Sequence, residues 1–356
     1  MAVLRFALSF SSLQTFLAQL ITKQVNAKYD TEILVEKVDL SSLKDITLIN
    51  VLIKDHHQDT LIFAEELNGS ILNVKKFIDS QLNFGDIEIK HGKFLMKTYL
   101  DEEVNNLTVF ASKFKNDDKI KTKPFELTSS SIVLNEVQFS LVDENKKNGP
   151  IVFYHHISGV FDDFKIYDSN VSTAIHHLRT VENHKINIID FQTNFSYSAE
   201  KMAFLQTKLK TEKSFLAADI VFNYKEGELS DFTDKVQIDA KIIQGDIVLP
   251  DLKKLYSEFG KNDQIHFSTH AKGTINDFVL KDLDFRSDRN SSFKGTVEIK
   301  DVLNPDKFKL NAQIQEVSSS YDHLVNLFPN LLGAKIPVSL KRIGKFSSRG
   351  KVFLTR

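Results

Sequence analysis

The sequence predicts a mainly β protein: an elongated, curved antiparallel sheet, opened by an amino-terminal amphipathic helix and carrying a few short helices. Two observations lead there. The first is a spaced pattern (apolar, any, apolar, any, any, apolar, any, apolar) that returns five times: at Ile46, Leu48, Val51, Ile53; at Ile87, Ile89, Gly92, Phe94; at Ile132, Leu134, Val137, Phe139; at Ile186, Ile188, Phe191, Thr193; and at Phe278, Leu280, Leu283, Phe285. Gly92 and Thr193 are the two members that break it. Alternation at period two marks a strand with one buried face, and the three-residue step in mid-run flips that face unless a β-bulge or tight corner absorbs one residue. Bulges bend strands, so the repeated step predicts a curved sheet with an apolar concave side. The second observation is the period. Successive copies start 41, 45 and 54 residues apart and the last follows after 92, about two such steps, which points to repeated supersecondary units rather than one compact enzyme core.

The elements follow in order. Val3 to Phe10 is apolar but short and interrupted by Arg5, whereas a spanning helix needs about 20 mostly apolar residues. Two readings of Ala2 to Phe10 stand: the tail end of a signal anchor, or the first turns of an amphipathic helix. From Leu13 to Lys28, Leu13, Phe16, Leu17, Leu20, Ile21 and Val25 share one helical face, with Gln14, Gln19, Lys23 and Gln24 opposite. A β meander comes next, from Thr31 to Leu40 and on through the first repeat to Lys54, then the loop Asp55 to Thr60 (DHHQDT). Leu61 to Val74 reads as two strand pieces and Lys75 to Ser80 as a short turn or helix. Lys113 to Lys123 and Asn145 to Pro150 read as exposed hairpin ends. Ser172 to Val181 and Asp251 to Phe259 read as helices, the second stopped by Gly260, and Tyr321 to Leu332 as a helix interrupted at Pro329. Between them strands return at Val236 to Leu249, Ile265 and Phe267, Val297 and Ile299, Phe308 to Ile314, and Val352 to Leu354. The organisation expected is a membrane-proximal helix over 1–28 and one repeated β region over 29–356, with no linker biased enough to mark a further boundary. An elongated sheet stopping at Arg356 would leave an open edge, so more protein is expected beyond it.

Composition removes several functions. The 356 residues are 42% hydrophobic, enough for a core, and 46 basic against 47 acidic side chains give a net charge of −1, so nothing resembles a nucleic-acid footprint. Absence of Cys excludes disulfides and thiolate chemistry. No H-E-x-x-H, G-x-S-x-G or P-loop motif occurs, and no cofactor is indicated. Three His pairs stand out: His56-His57, His155-His156 and His176-His177. Neighbours on a strand point to opposite faces, so at most one of each pair serves a shared site. Asp55-His56-His57 also matches the triplet of a metal-dependent phosphoesterase superfamily, but no βαβ pattern supplies the further aspartates it needs, and loop polarity is the preferred reading. Asp162-Asp163 and Glu65-Glu66 read as surface pairs. The chemistry-free candidates are therefore the apolar repeat positions themselves, extended by Met96 and Leu141: either ordinary core or the lining of an open apolar groove.

These segments resemble a known family. Leu13 to Asn73, with its K-V-x-L-S step at Lys37 to Ser41, is similar to the amino-terminal region of TamB proteins (translocation and assembly module) of the Bacteroidetes type, within the AsmA-like superfamily. The similarity continues through Phe84 to Tyr99, Ser129 to Glu144, Asp251 to Ile265 and Lys272 to Phe285, whose Gly-x-x-Asn-Asp step resembles the family's recurring hairpin. The resemblance implies a β-taco, or gutter-shaped groove, in the cell envelope. It would be anchored in the inner membrane, lie in the periplasm, and conduct phospholipid between the inner and outer membrane without catalysing a reaction. Assembly of outer-membrane β-barrel proteins is the alternative role. The family's carboxy-terminal domain, which meets an outer-membrane assembly factor, has no counterpart here, and the anchor is truncated or degenerate. A fragment of a longer protein is the expectation.

Overall fold

The computed structural model describes residues 22–40, 45–72, 81–113, 126–145, 152–168, 170–182, 186–225, 227–255, 259–304, 306–329, 341–342 and 344–355. It is mainly β. Sixteen strands form a mixed sheet whose order is that of the chain: β1 (Glu32–Leu40), β2 (Asp45–Lys54), β3 (Thr60–Ile71), β4 (Gln81–Thr98), β5 (Glu126–Asp143), β6 (Val152–Tyr167), β7 (Asn170–Glu182), β8 (Ile188–Tyr197), β9 (Lys201–Thr211), β10 (Phe215–Asn223), β11 (Gln237–Val248), β12 (Gln264–Gly273), β13 (Phe278–Ser287), β14 (Ser292–Lys300), β15 (Lys309–Ser320) and β16 (Lys345–Thr355). Besides a helical stretch over 22–29, the described residues hold α1 (Asn106–Ser112), α2 (Leu249–Leu255), α3 (Tyr321–Leu327) and a 3-10 turn at Glu228–Asp231. The chain divides into two compact units, Met1–Asn183 with Phe195–Ser198, and His184–Asn194 with Ala199–Arg356.

The mid-pattern step goes with one backbone device in most of the copies. In four of the five repeat copies the second of the two central residues adopts a left-handed conformation: Asn50 (φ 52°), His91 (φ 48°), Glu136 (φ 58°) and Asp282 (φ 49°). One residue turned this way restores the apolar face after a three-residue step. Further copies lie beyond the five. Ile33, Val35, Val38, Leu40 in β1 and Ile62, Ala64, Leu67, Gly69 in β3 have the same spacing, as do Val152, Tyr154, Ile157, Gly159 in β6 and Met202, Phe204, Thr207, Leu209 in β9. Left-handed His156 and Gln206 fall at the same place in the last two.

The pattern reads the same in both chain directions, so antiparallel neighbours bring their central pairs together. Val35 faces Val51 and Lys37 faces Ile49; Val51 faces Ala64 and Ile49 faces Glu66; Ala64 faces Gly92 and Glu66 faces Lys90. Each strand absorbs the same step, so no register offset arises at this line. Later pairs carry true offsets, three residues against two, as between Leu134/Val137 and Gly159/Ile157 and between Leu280/Leu283 and Val297/Gly295.

Turning one residue left-handed strips the preceding carbonyl of a ladder partner, and buried threonines on adjacent strands replace it. Thr180 Oγ1 donates to His155 O (3.0 Å), Thr173 to Asp162 O (2.9 Å), Thr193 to Leu205 O (3.1 Å) and Thr269 to Lys281 O (2.8 Å). The residues that follow those carbonyls are the left-handed His156, Asp163, Gln206 and Asp282. This explains Thr193, which had looked like a fault in its repeat. Replacing Thr269 by the isosteric Val is expected to cost about 1–2 kcal/mol through one unsatisfied buried carbonyl, visible as a lower urea midpoint with unchanged slope.

Several expectations are corrected. The sheet is not wholly antiparallel: β4 and β5 run parallel, so the connection containing Lys113 is a crossover and not a hairpin end, and α1 lies within it. Ser172 to Val181 is strand, not helix, because the three-residue step from Ile175 to Leu178 across left-handed His177 imitates helical spacing. Leu61 to Val74 holds one strand, ending at Ile71. The second predicted helix begins earlier, at Leu249, and Gly260 serves close approach: a Cβ there would lie 1.8 Å from Asn326 O, while its N–H donates to Leu327 O (2.9 Å). The third helix is present as α3, capped by Ser320. The Gly-x-x-Asn-Asp segment does form the β12–β13 hairpin, where Gly273 (φ 131°) lets Asp277 O approach to 2.2 Å of its absent Cβ. Of the first predicted helix, residues 22–29 are helical; Leu13 to Ile21, like Lys75 to Ser80 and most of 113–123 and 145–150, lies outside the described residues. No described helix is long and apolar enough to cross a membrane.

Candidate functional site

Register converts the repeated pattern into rows. Across β1 to β6 the first row is Leu40, Ile46, Gly69, Ile87, Ile132 and Phe161, and the second is Val38, Leu48, Leu67, Ile89, Leu134 and Gly159. The third joins Val35, Val51, Ala64 and Gly92, then Val137 and Ile157; the fourth is Ile33, Ile53, Ile62, Phe94, Phe139 and Tyr154. Side-chain contacts support the common face. Val35, Val38, Val51 and Ala64 form one buried cluster against Leu40, Ile46, Leu48, Leu67 and Ile89. In the fourth row the Phe94 and Phe139 rings lie 5.5 Å apart and Phe139 and Tyr154 6.5 Å apart. Gly92 has a steric reason: a Cβ there would lie 3.1 Å from Ile89 Cγ2 and 3.2 Å from Val137 Cγ2.

Of the predicted positions, Val51, Ile87 and Val137 are buried, whereas Ile46, Leu48, Ile53, Ile89, Phe94, Met96, Ile132, Leu134, Phe139 and Leu141 are half-buried. In the second unit Phe278, Leu280, Leu283 and Phe285 are also half-buried, and β13 is flanked by apolar partners Ala271 and Val297 at Leu280 and Phe267 and Phe293 at Phe285. One end of that face is capped: Leu249 of α2 and Leu327 of α3 are each 1% exposed, packed with Ile265 against Phe259, Phe267, Phe285 and Phe328. Phe285 is therefore core at this end. Allowing Ala and Gly at apolar positions brings the β3 members into the pattern, and the β1 members, Ile33, Val35, Val38 and Leu40, fit it as it stands.

Along the centre of the rows the intervening residues, Ile49 apart, are polar, and many are mutually paired. Asn50 Nδ2 donates to Glu36 Oε2 (2.7 Å), Lys90 Nζ pairs with Glu66 Oε1 (2.8 Å), His91 with Glu65 (3.3 Å), and His156 with Glu136. Hydrogen bonding to Lys90, assisted by Asn68, holds the Glu66 carboxyl below its usual range. The His155-His156, His176-His177 and Asp162-Asp163 pairs are central pairs of this kind, each with its second member left-handed. Asn, Asp and His are the side chains that best tolerate that conformation, so their chemistry here is conformational.

His56-His57 is different. It lies in the turn between β2 and β3, where the alternation rule for strands has no force. Asp55, 5% exposed, organises this turn: Oδ1 accepts from the N–H groups of His57 (2.9 Å) and Asp59 (3.0 Å), and Oδ2 from Tyr99 OH (2.7 Å) and Asn106 Nδ2 (2.9 Å). Burial opposes the Asp55 charge, but the bonds from Asn106, Tyr99 and the two backbone N–H groups prevail and hold its pKa below the ordinary value. Burial and the two neighbouring carboxylates push the Tyr99 hydroxyl upward. Fully buried Asn106 also accepts from Lys97 N (2.8 Å) and donates to Leu95 O (3.1 Å), which ties the start of α1 to β4. Comparison with protein-family models, with curated proteins and with solved structures yields no match.

Proposed function

We propose that the apolar rows are a non-catalytic acyl-chain surface, and that the chain is part of an envelope protein moving phospholipid between inner and outer membrane, as the TamB-like resemblance suggests. The observation that supports this most is the continuity of four apolar rows over six strands whose members stay mostly half-buried. An apolar sheet face of this extent needs a cover, and each acyl methylene placed there contributes about 0.8 kcal/mol. Such a surface asks for continuity and width, and the glycines do not interrupt it, because neighbours close over them: a Cβ at Gly159 would lie 2.9 Å from Leu178 Cδ1. On this reading the polar central pairs belong to the opposite face, toward water.

A photo-crosslinking amino acid placed at Leu134, in the second row, is expected to label phospholipid acyl chains in membranes containing the protein. The same group at Val133, next in the strand and on the other face, is expected not to. Equal labelling at both positions, or none at Leu134, would remove the proposal.

One observation favours the scaffold for outer-membrane β-barrel proteins as a second reading. Among the described residues β16 pairs only with β15, and its Val352 and Phe353 are 45% and 70% exposed. An exposed edge strand is suited to β-augmentation by an incoming strand.

A further inference from the structure

Two of the three His-His pairs are accounted for by the backbone, and the third is not. His56 Nε2 lies 2.9 Å from Glu102 Oε2 and His57 Nε2 lies 2.6 Å from Glu102 Oε1. One donor atom from each of the three side chains falls within a common 4.8 Å. His56 Nδ1 is buried with no hydrogen-bond partner, so this ring makes its polar contact through the atom turned to Glu102. Two imidazole nitrogens and one carboxylate, from loops about 45 residues apart, thus converge on one point.

The mount is built rather than accidental. Both histidines belong to the tight turn that Asp55 holds through the His57 and Asp59 N–H groups, with Gln58 left-handed (φ 68°) at its apex. Tyr99 fixes the second loop to the first: its ring stacks on His57 at 3.8 Å between centroids and its hydroxyl bonds Asp55. Glu102 is set by its N–H to Tyr99 O (3.1 Å), and Asn145 Nδ2 clamps both the Glu102 and Tyr99 carbonyls at 2.9 and 3.0 Å. The surroundings favour a cation. Asp55, Asp59 and Glu144 stand nearby; Lys97 pairs with Glu144 (2.8 Å) and Asp59 (3.6 Å), and Lys54, which reaches Gln58 Oε1 (3.5 Å), is paired with Glu32 (2.8 Å).

We infer that His56, His57 and Glu102 form a binding site for one divalent transition-metal ion, zinc being the ion this donor set suits. Imidazole nitrogen and carboxylate oxygen are the ordinary zinc ligands at about 2.0–2.2 Å, so donors now joined through protons need spread by only a few tenths of an ångström to admit the ion. His57, 45% exposed at its side chain, leaves the solvent side open for a water or a further ligand. The bound ion would clasp the β2–β3 turn to the turn after β4.

The test is isothermal titration of the whole chain, freed of metal, with zinc chloride, repeated for His57→Ala and Glu102→Gln, together with visible spectra of the cobalt-substituted forms. One equivalent is expected to bind the native chain, with affinity lowered at least about tenfold in each variant and with the tetrahedral cobalt bands lost. Unchanged affinity in correctly folded variants, or binding without stoichiometry, would overturn the site. Should a variant fail to fold, histidine side-chain NMR of the native chain during the titration decides it: the His56 and His57 signals respond first if the site is real, and His155, His156, His176 or His177 respond first if it is not.

Discussion

Asp55→Ala is expected to lower the unfolding free energy by about 3 kcal/mol, because a buried acceptor of four hydrogen bonds disappears and its donors have no water to replace it. Two of those donors are backbone N–H groups that set the β2–β3 turn. The others are Tyr99 OH and Asn106 Nδ2, both buried. Equilibrium urea unfolding measures the loss. The pH dependence has a defined sign. A carboxyl whose folded-state pKa is depressed contributes stability above its unfolded value, near 3.9, and loses it as pH falls through the folded value. The gap between native chain and variant should therefore be full at neutral pH and narrow progressively in acid below the ordinary Asp range. A gap independent of pH would mean that the carboxylate charge has no part in the turn.

Phe139→Asp is expected to weaken phospholipid binding roughly a hundredfold with the fold retained. Phe139 is half-buried in the fourth row, between Phe94 and Tyr154, where a carboxylate would impose its hydration on the acyl chains that pass it. If about four methylenes lose contact, the cost is about 3 kcal/mol, or roughly a hundredfold in affinity. Gln138→Asp, one residue away and directed to the other face, is the control and should bind normally. If the sheet serves instead as a scaffold for nascent barrel proteins through the β16 edge, capture of an unfolded barrel protein should survive Phe139→Asp unchanged.

The strands were legible where the apolar spacing was clean, as in β2, β4, β5 and β13, and the three-residue step announced the backbone device that the left-handed Asn50, His91, Glu136 and Asp282 supply. The same device misled where its members were mixed. In β7, Thr173 and Thr180 stand at row positions because their hydroxyls satisfy carbonyls of β6, and the remaining Ile175 and Leu178 imitate a helix. The parallel pairing of β4 with β5 had no local signal, since direction depends on a crossover, and α1 within it is seven residues long. Adjacent histidines were judged by strand alternation, which the left-handed His156 and His177 break within their strands and which has no force in the turn at His56-His57; Glu102, 45 residues on from His57, could be brought to them only by the fold. Gly92 and Thr193 read as blemishes in the repeat until the neighbouring strands showed what each accommodates.

Native mass spectrometry of the purified chain, with lipid extraction from the same sample, tests the central claim most directly. An acyl-chain surface made of continuous apolar rows predicts co-purified phospholipid in several copies per chain, released when row residues are made polar. A lipid-free, monodisperse protein that stays folded when membranes are removed would contradict it, and would mean that the rows close on themselves as an ordinary core.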